Sequence, residues 1–446
     1  MNTGTTPLKV SVIGCGYLGA THAAAMAELG HHVIGMDTDT HKVEALNKGQ
    51  APFVEAGLDD LLAKHTAAGT LHFTASYAEA ADFADVHFLG VGTPQQPGSG
   101  AYDLSHLQAA VRRLAPRLHD HALIVGKSTV PVGTTAQLRQ ILTEHARPGA
   151  NIHLAWSPEF LRESFAVEDT LRPDRIVLGI EDGDTTSEAI FRAVYAEILG
   201  AGSPLIVTDL PTAELIKGAA NAFLATKVSF INAMAELCEL TGADVQQLAL
   251  GLGYDERIGF KGMRPGLGFG GGCLPKDLAG FTHRAKELGA DRAVAFLQHV
   301  DAINQRRRER TVQFAREMLG GTVVGKRIAV WGAAFKPGTD DIRDSPALAV
   351  ADSLHRAGAE VTVHDPAAME NARRAYPALE YADDAASALT AAALLLHLTD
   401  WPEYAQADPA ALRQHIAVPK VIDARGTLDT DRWREAGWTL RALGRP

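Results

Sequence analysis

The sequence predicts an α/β protein with two doubly wound parallel-sheet domains separated by a long helical segment. Three observations predict it. Residues up to about 208 alternate short apolar runs with helical stretches, the pattern of a parallel sheet with crossover helices. From Thr212 to about Gly242 the helical period runs without an internal proline. The strand-turn-helix alternation then restarts at "GKRIAVWGAAFKPGTDD". The expected boundaries are 1–208 for a nucleotide-binding domain, 209–322 for a central helical dimerisation domain carrying a cysteine loop, and 323–446 for a second domain of the same type.

In the first domain, "LKVSVIG", "HHVIGMD", "DVHFLGVGTP", "ALIVGKSTVP", "NIHLAWSPEF", "RIVLGI" and "SPLIVTDL" read as strands, and "ATHAAAMAELG" as the first crossover helix. The central segment "TAELIKGAANAFLATKVSFINAMAELCELTG" is apolar on more than one face. Such a helix is buried at the centre of a molecule or between subunits. The helical region continues through "DRAVAFLQHVDAINQRRRERTVQFAREML". Within it, the basic run Gln305–Arg310 reads as a solvated helix face rather than a nucleic-acid patch. In the third segment "SPALAVADSLHRAG" is a helix and "EVTVHDP" a strand.

Composition narrows the function classes. With 46% hydrophobic and 21% charged residues over 446 positions, the chain is ordinary globular material. A net charge of −11 argues against binding nucleic acid, which needs a basic face. The opening "MNTGTTPLKV" lacks a secretory apolar stretch, and no apolar run approaches the roughly 20 residues of a membrane span. A cytoplasmic protein is expected, with no membrane partner. Cys15, Cys238 and Cys273 lie far apart, so neither a disulfide framework nor a metal site is expected.

"GCGYLG" places Gly14, Gly16 and Gly19 between a strand and a helix. The first makes a tight turn, the second admits a pyrophosphate, and the third lets helix and strand pack closely. Asp37 ends the next strand, where a carboxylate binds a ribose diol and repels a 2′-phosphate. NAD is therefore predicted over NADP. Cys15 is read as structural. The later turn Gly332-Ala333-Ala334-Phe335 has lost most of the fingerprint and is not expected to hold a second dinucleotide in the same way.

"GFGGGCLPKD", Gly268–Asp277, surrounds one thiol with glycine. Such a loop clears space for a ligand and exposes a nucleophile; equally, the cysteine is an incidental buried residue. Lys217 and Asn221 share one helix face, and two such donors facing Cys273 stabilise an oxyanion. Glu159 and Glu163, also four apart in "SPEFLRES", form either a solvated helix face or part of a site at the sheet's ligand-binding edge.

Together "GFGGGCLPKD", "KSTVPVGT", "SPEFLRES", "ELIKGAANAFLATKVSFIN" and "AAFKPGTDDIRDS" resemble the nucleotide-sugar 6-dehydrogenase family over nearly the whole chain. The resemblance implies two Rossmann-like domains, a homodimer, and oxidation of a sugar C6 alcohol to a carboxylate with two NAD and no metal, UDP-glucose being the leading substrate. It makes Cys273 the nucleophile, with Lys217 and Asn221 on the oxyanion. Asp277 activates water, aided by Thr129, and Glu159 and Glu163 join the water and proton network. Around NAD it adds Tyr17, Leu18, Lys42, Thr93, Thr129, Glu163, Lys276 and Arg343. Around the sugar nucleotide it places Glu159, Phe160, Leu161, Lys217, Asn221, Phe269, Gly270, Lys336 and Arg425, with Arg257 reaching the neighbouring subunit's substrate. Gly262-Met263 before "RPG" and Gly272 before the cysteine depart from the family's usual residues. GDP-mannose and TDP-glucose are therefore the alternative substrates. A single-hydride β-hydroxyacid dehydrogenase gives no reason for the cysteine loop, and a non-catalytic nucleotide-binding protein gives none for keeping Cys273, Lys217 and Asp277 together.

Overall fold

The computed structural model describes residues 6–445; residues 1–5, on which part of the leader expectation rests, lie outside the described residues. The chain forms two compact units, one of residues 1–220 with 279–287, the other of 221–278 with 288–446.

The first unit is built on eight strands: β1 (Lys9–Ile13), β2 (His32–Met36), β3 (Leu71–Thr74), β4 (Val86–Leu89), β5 (His121–Gly126), β6 (Asn151–Trp156), β7 (Ile176–Ile180) and β8 (Leu205–Asp209). Their order is β3-β2-β1-β4-β5-β6-β7-β8. Val10, Ser11, Val12 and Ile13 are all buried; helices cover both faces, so successive side chains find protein whichever way they point. Ile13 pairs with Met36 on one side and Leu89 on the other, so three strands end level where their turns meet.

Two features depart from expectation. The edge strand β3, "LHFT", was not foreseen; four residues with a histidine among them make a weak strand signal. β7 meets β6 antiparallel, through Trp156 and Gly179. The β6–β7 connection explains this. Its only helix, Ala166–Leu171, has 6 residues, about 9 Å of rise, too short to carry the chain back along the sheet. The chain therefore turns round at the edge it has reached.

The second unit holds β9 (Arg327–Trp331), β10 (Glu360–His364), β11 (Glu380–Tyr381), β12 (Leu394–His397), β13 (Lys420–Asp423) and β14 (Thr439–Ala442), in the order β11-β10-β9-β12-β13-β14. Every pairing is parallel. This is the 3-2-1-4-5-6 order of a nucleotide-binding sheet, and the first six strands of the other unit share it. The expected fold class is observed, with a helix from Leu210 to Thr241 linking the two units. That helix starts where Asp209 Oδ1 accepts the Thr212 N–H at 2.7 Å, one of the donors a helix start leaves open. Among the described residues no helix is long and apolar enough to cross a membrane.

The basic run Gln305–Arg310 lies on the helix Phe296–Met318; Arg306 and Glu309 face solvent as expected, but Arg307 does not. Arg307 is 0% exposed. Its Nε donates to Gly266 O at 3.2 Å and its guanidinium lies 3.6 Å from Glu239. Arg308 pairs with Asp344 at 2.9 Å, and Arg310 with Glu239 at 2.9 Å. Reading the run by charge alone missed that the helical period turns Arg307 inward, where a planar five-donor group meets both a carboxylate and a carbonyl. Arg307→Met should cost about 3–5 kcal/mol, because it strips a buried carboxylate of a partner. Urea denaturation measures this, and a loss within 0.5 kcal/mol, the usual range for exposed substitutions, would contradict it.

Candidate functional site

Unit one carries the nucleotide turn. Gly14 has φ +90°, a conformation L side chains avoid, and its N–H donates to Met36 O at 2.7 Å. A Cβ on Gly19 would sit 1.7 Å from Gly14 O, whereas one on Gly16 would meet open space. The turn thus packs tightly on its inner side and stands clear at the N-terminus of the helix Tyr17–Glu28, where N–H groups attract an anion. Leu18 is half-buried on that first turn, and Tyr17 lies against Phe53 with ring centroids 4.1 Å apart. Asp37 Oδ2 accepts the Cys15 N–H at 2.9 Å and lies 3.4 Å from Lys42 Nζ. Burial pushes the Cys15 thiol well above its ordinary pKa, which suits the structural role expected of it. The cradle fits a dinucleotide pyrophosphate with a ribose at Asp37.

After β5 and β6 the chain continues the ladder in irregular form. Ser157 N–H donates to Gly126 O at 2.8 Å and Glu159 N–H to Lys127 O at 3.1 Å. Thr93 Oγ1 donates to Thr129 O at 2.6 Å. "SPEFLRES" is not a helix. Its shape is held by carboxylates: buried Glu55 accepts the Ser164 and Ala166 N–H groups at 2.8 and 2.9 Å, and Ser164 takes φ 70°. Glu159 Oε1 accepts the Phe160 and Leu161 N–H groups at 2.8 and 3.2 Å, while Oε2 lies 3.0 Å from Lys127 Nζ. Burial opposes both charges, but their mutual attraction prevails: Lys127 is held above, and Glu159 below, the ordinary values. Glu163 and Lys217 are buried too, and Lys217 Nζ stands 5.4 Å from the Phe160 ring centre.

Unit two carries the thiol. Cys273 is exposed and directly precedes the helix Leu274–Glu287. Asp277 N–H donates to Cys273 O at 2.8 Å. The Asp277 carboxylate, 1% exposed, accepts from Asn221 Nδ2 at 2.6 Å and Lys276 Nζ at 2.5 Å. The glycine loop leading to Cys273 is fixed through its main chain. Asn232 Oδ1 accepts the Gly266 N–H at 2.8 Å. Asn304, fully buried, spans Phe269 by accepting from its N–H at 2.8 Å and donating to its O at 2.9 Å. Gly271 N–H donates to Arg343 O at 2.9 Å. A Cβ on Gly270 would fall 2.3 Å from Asp344 O. Arg425 donates to Leu398 O at 2.6 Å, Gly268 O at 3.2 Å and Phe335 O at 3.3 Å; burial lowers its pKa against the pull of Asp400 and Asp423. Lys336 Nζ lies 5.6 Å from the Phe335 ring centre. Arg257 stands apart, its side chain 88% exposed and bonded to Asp255 at 2.6 and 2.9 Å.

The predicted residues thus fall into two sets. Gly14 to Gly19, Asp37, Lys42, Thr93, Thr129, Glu159 to Leu161, Glu163 and Lys217 belong to unit one, and Asn221, Arg257, Phe269, Gly270, Cys273, Lys276, Asp277, Lys336, Arg343 and Arg425 to unit two. Lys127, Asn232, Asn304 and Arg307 were not anticipated. Each had a signal: a polar side chain at a position that strand or helix period assigns to the interior. No group of His, Cys, Asp and Glu suited to a metal occurs among the described residues. At the second turn Asp365 Oδ2 accepts the Ala333 and Ala334 N–H groups at 2.7 and 3.0 Å, so this turn is closed by the chain's own carboxylate.

Two nucleotide-type sheets, one with an intact glycine fingerprint, and an exposed thiol on a fixed glycine loop define an α/β oxidoreductase of the dinucleotide-dependent class. Comparison with known proteins makes this specific. Residues 8–199 match the NAD binding domain of the UDP-glucose/GDP-mannose dehydrogenase family, residues 211–306 its central domain and residues 329–430 its UDP binding domain. The chain is 41% identical to UDP-glucose 6-dehydrogenase of Rhizobium meliloti over 98% of this chain and 100% of that one. It is 38% identical to a UDP-glucose 6-dehydrogenase of Bacillus subtilis over 98% of each. A UDP-glucose dehydrogenase structure from Pyrobaculum islandicum superposes with TM-score 0.91 at 36% identity, covering 100% of both chains. The chain belongs to the UDP-glucose/GDP-mannose dehydrogenase family.

Gly19→Ala tests the cradle. Its methyl meets backbone rather than a movable side chain, so the turn must distort, at about 1–3 kcal/mol. NAD titration by calorimetry should show affinity falling at least about tenfold, the equivalent of 1.4 kcal/mol. Unchanged affinity would show that the turn does not carry the pyrophosphate.

Proposed function

We propose that the protein oxidises the C6 alcohol of UDP-glucose to the carboxylate, giving UDP-glucuronate, with two equivalents of NAD. The observation that carries the reading is Cys273, exposed at the end of a glycine loop whose main chain is fixed from several sides. The relatives named UDP-glucose 6-dehydrogenase support the substrate. Gly14, Gly16, Gly19 and Asp37 would hold NAD, which would supply the hydride acceptor for each oxidation.

The first oxidation turns the alcohol into an aldehyde. An aldehyde carbon cannot release a second hydride until a nucleophile has added to it. The Cys273 sulfur adds, the carbonyl oxygen takes the negative charge, and a thiohemiacetal results. Loss of the second hydride leaves a thioester; water cleaves it, returning the thiol and the carboxylate. Asn221 has two amide N–H bonds; one goes to Asp277, and in this reading the other serves the oxyanion together with Lys217. Asp277, kept as an acceptor by Asn221 and Lys276, positions the water, with Thr129, Glu159 and Glu163 in the same network. The cations Lys336 and Arg425 suit the diphosphate, and residues 329–430 match a UDP binding domain. Lys276 and Arg343 belong to the cofactor side.

The same reading divides the chain into domains 1–208, 209–322 and 323–446. It also makes the protein a homodimer to which Arg257 contributes across the interface. Phe223, Leu237 and Leu240 on the long helix, with Tyr254 and Phe260 beyond it, are exposed large apolar residues that a partner would cover. Sedimentation as a monomer at micromolar concentration would remove this part of the proposal. A catalytic thiol suits a reducing compartment, the cytoplasm.

The thiol gives the sharpest test. Cys273→Ser replaces the nucleophile with a hydroxyl, which is far less ionised at neutral pH. The variant should release no more than one or two NADH per active site and then stop, while the unmutated enzyme releases two per UDP-glucose at every turnover. Absorbance of NADH and intact-protein mass spectrometry, which looks for a trapped ester, read this directly. Uronate formation by Cys273→Ser at the unmutated rate would refute the thiol mechanism. Two NADH from GDP-mannose, with none from UDP-glucose, would transfer the reading to the other branch of the family.

A further inference from the structure

We infer that Glu55 is a positioning residue for Glu163: it fixes the turn on which Glu163 stands, and so aims that carboxylate at the water that cleaves the thioester. The inference rests on the proposed reaction, which puts Glu163 in the water network, and adds to it a residue that acts through another.

Every group involved lies in unit one. Phe165 N–H donates to Arg162 O at 3.0 Å, closing a four-residue turn with Glu163 second and Ser164 third. Ser164 takes φ 70°, a left-handed value at the turn position where glycine is usual. A serine keeps this value only where its surroundings impose it. Glu55 imposes it, from a point in the chain 109 residues before Ser164. Its Oε2 accepts the Ser164 N–H at 2.8 Å and its Oε1 the Ala166 N–H at 2.9 Å. Glu55 is 8% exposed, and hydrogen bonds to a carboxylate are among the strong ones. Its own main chain is held as well: Glu55 O accepts the Leu58 N–H at 3.3 Å across a bend where Gly57 takes φ 75°. On the outer side Asp169 Oδ2 takes the Arg162 N–H at 2.8 Å, and the Asp169 carboxylate pairs with the Arg162 guanidinium at 2.6 Å. That side chain is 64% exposed, so solvent weakens the outer tether and the buried one decides.

The N–H groups of Arg162, Ser164, Phe165 and Ala166 are therefore all taken, with Glu163 between them. The direction of the Glu163 Cα–Cβ bond follows from the backbone of this turn, and Glu163 is itself buried. A carboxylate that orients a water needs such placement, since an error of about 1 Å costs up to about 100-fold in rate. Stability alone does not call for the arrangement. Glycine at position 164 would adopt the same turn freely, with no need to bury the charge of Glu55.

The experiment compares the unmutated enzyme with Glu55→Gln, Ser164→Gly and the Glu55→Gln/Ser164→Gly double variant. Glu55→Gln keeps the size but sets an amide NH2 against one of the two N–H donors. Hydrogen exchange, read by mass spectrometry on the peptide covering residues 162–166, should quicken at least about tenfold. With UDP-glucose and NAD, two NADH per site should form in a fast first phase. Steady turnover should then run at least about tenfold slower than in the unmutated enzyme, and intact-protein mass spectrometry should find the sugar held on Cys273. Ser164→Gly relieves the backbone and should keep the unmutated rates; in the double variant it should recover most of the lost turnover. Glu55→Asp, which keeps the charge but falls one methylene short of the two N–H groups, gives the same readouts where Glu55→Gln does not fold. Unmutated turnover in a Glu55 variant whose loop exchanges faster would overturn the inference, and so would unmutated exchange. A slowed first phase with no adduct would do the same, because it places the loss before the water step, as would a lowered unfolding midpoint with neither change. Failure of the unmutated enzyme to reduce NAD with any nucleotide sugar is a separate result that refutes the reaction; the anchoring by Glu55 is then decided by hydrogen exchange alone.

Discussion

A buried main chain must have its polar groups met, and the glycine loop before Cys273 shows how far that constraint reaches. Glycine has no side chain with which to shield or satisfy the backbone, so partners come from other parts of unit two. Asn232 and Asn304 supply them from two helices, Arg307 and Arg425 from their guanidinium groups. The price is that no side chain fits. A Cβ on Gly268 would meet Asn304 Oδ1 at 2.3 Å, and Cβ atoms on Gly271 and Gly272 would press on Phe335 and Arg343 at 2.7 and 2.2 Å. The run of glycines around one thiol is thus the sequence record of a loop gripped on all sides, with its last residue left exposed. A thiol on a mobile loop would lose the alignment that nucleophilic addition requires.

The same unit explains why a basic run inside an acidic chain is not a patch. Arg307 is spent on a carbonyl and on Glu239, and Arg308 on Asp344. In unit one a lysine plays the corresponding part. Lys127 neutralises Glu159, and Glu159 braces the chain beyond β6. In each unit a buried cation sets the course of a loop, at a desolvation cost that only several simultaneous partners offset.

Much of this was legible in the sequence. The parallel sheets follow from alternation of element types, and the nucleotide turn from three glycines and Asp37 at the proper distance. The long helix was placed within two residues of its observed ends, Leu210 and Thr241. What escaped was set by tertiary context. β3 is too short to carry a period of its own. The reversal at β7 depends on the length of one connecting helix. "SPEFLRES" has the spacing of a helix, but the carboxylates of Glu55 and Glu159 take up several of its N–H groups and no helix is needed. Arg307 and Lys127 were hidden because charge suggests solvent, while burial is decided by partners far away in the chain.

The two nucleotide-type sheets show how one architecture is given two tasks. Both end their second strand with an aspartate, Asp37 in one and Asp365 in the other. Asp37 takes a single N–H of its turn, that of Cys15, and leaves the helix start beyond Gly16 open. Asp365 takes two consecutive N–H groups, and Trp401 Nε1 joins it at 3.0 Å. These N–H groups are thereby satisfied from within the chain. Two positive groups of this unit are engaged by the protein itself: Arg425 on three carbonyls and Arg343 on Asp341. Engagement holds each guanidinium in place before a ligand arrives, so less side-chain entropy is lost on binding. It also keeps these cations from attracting anions indiscriminately in a protein of net charge −11.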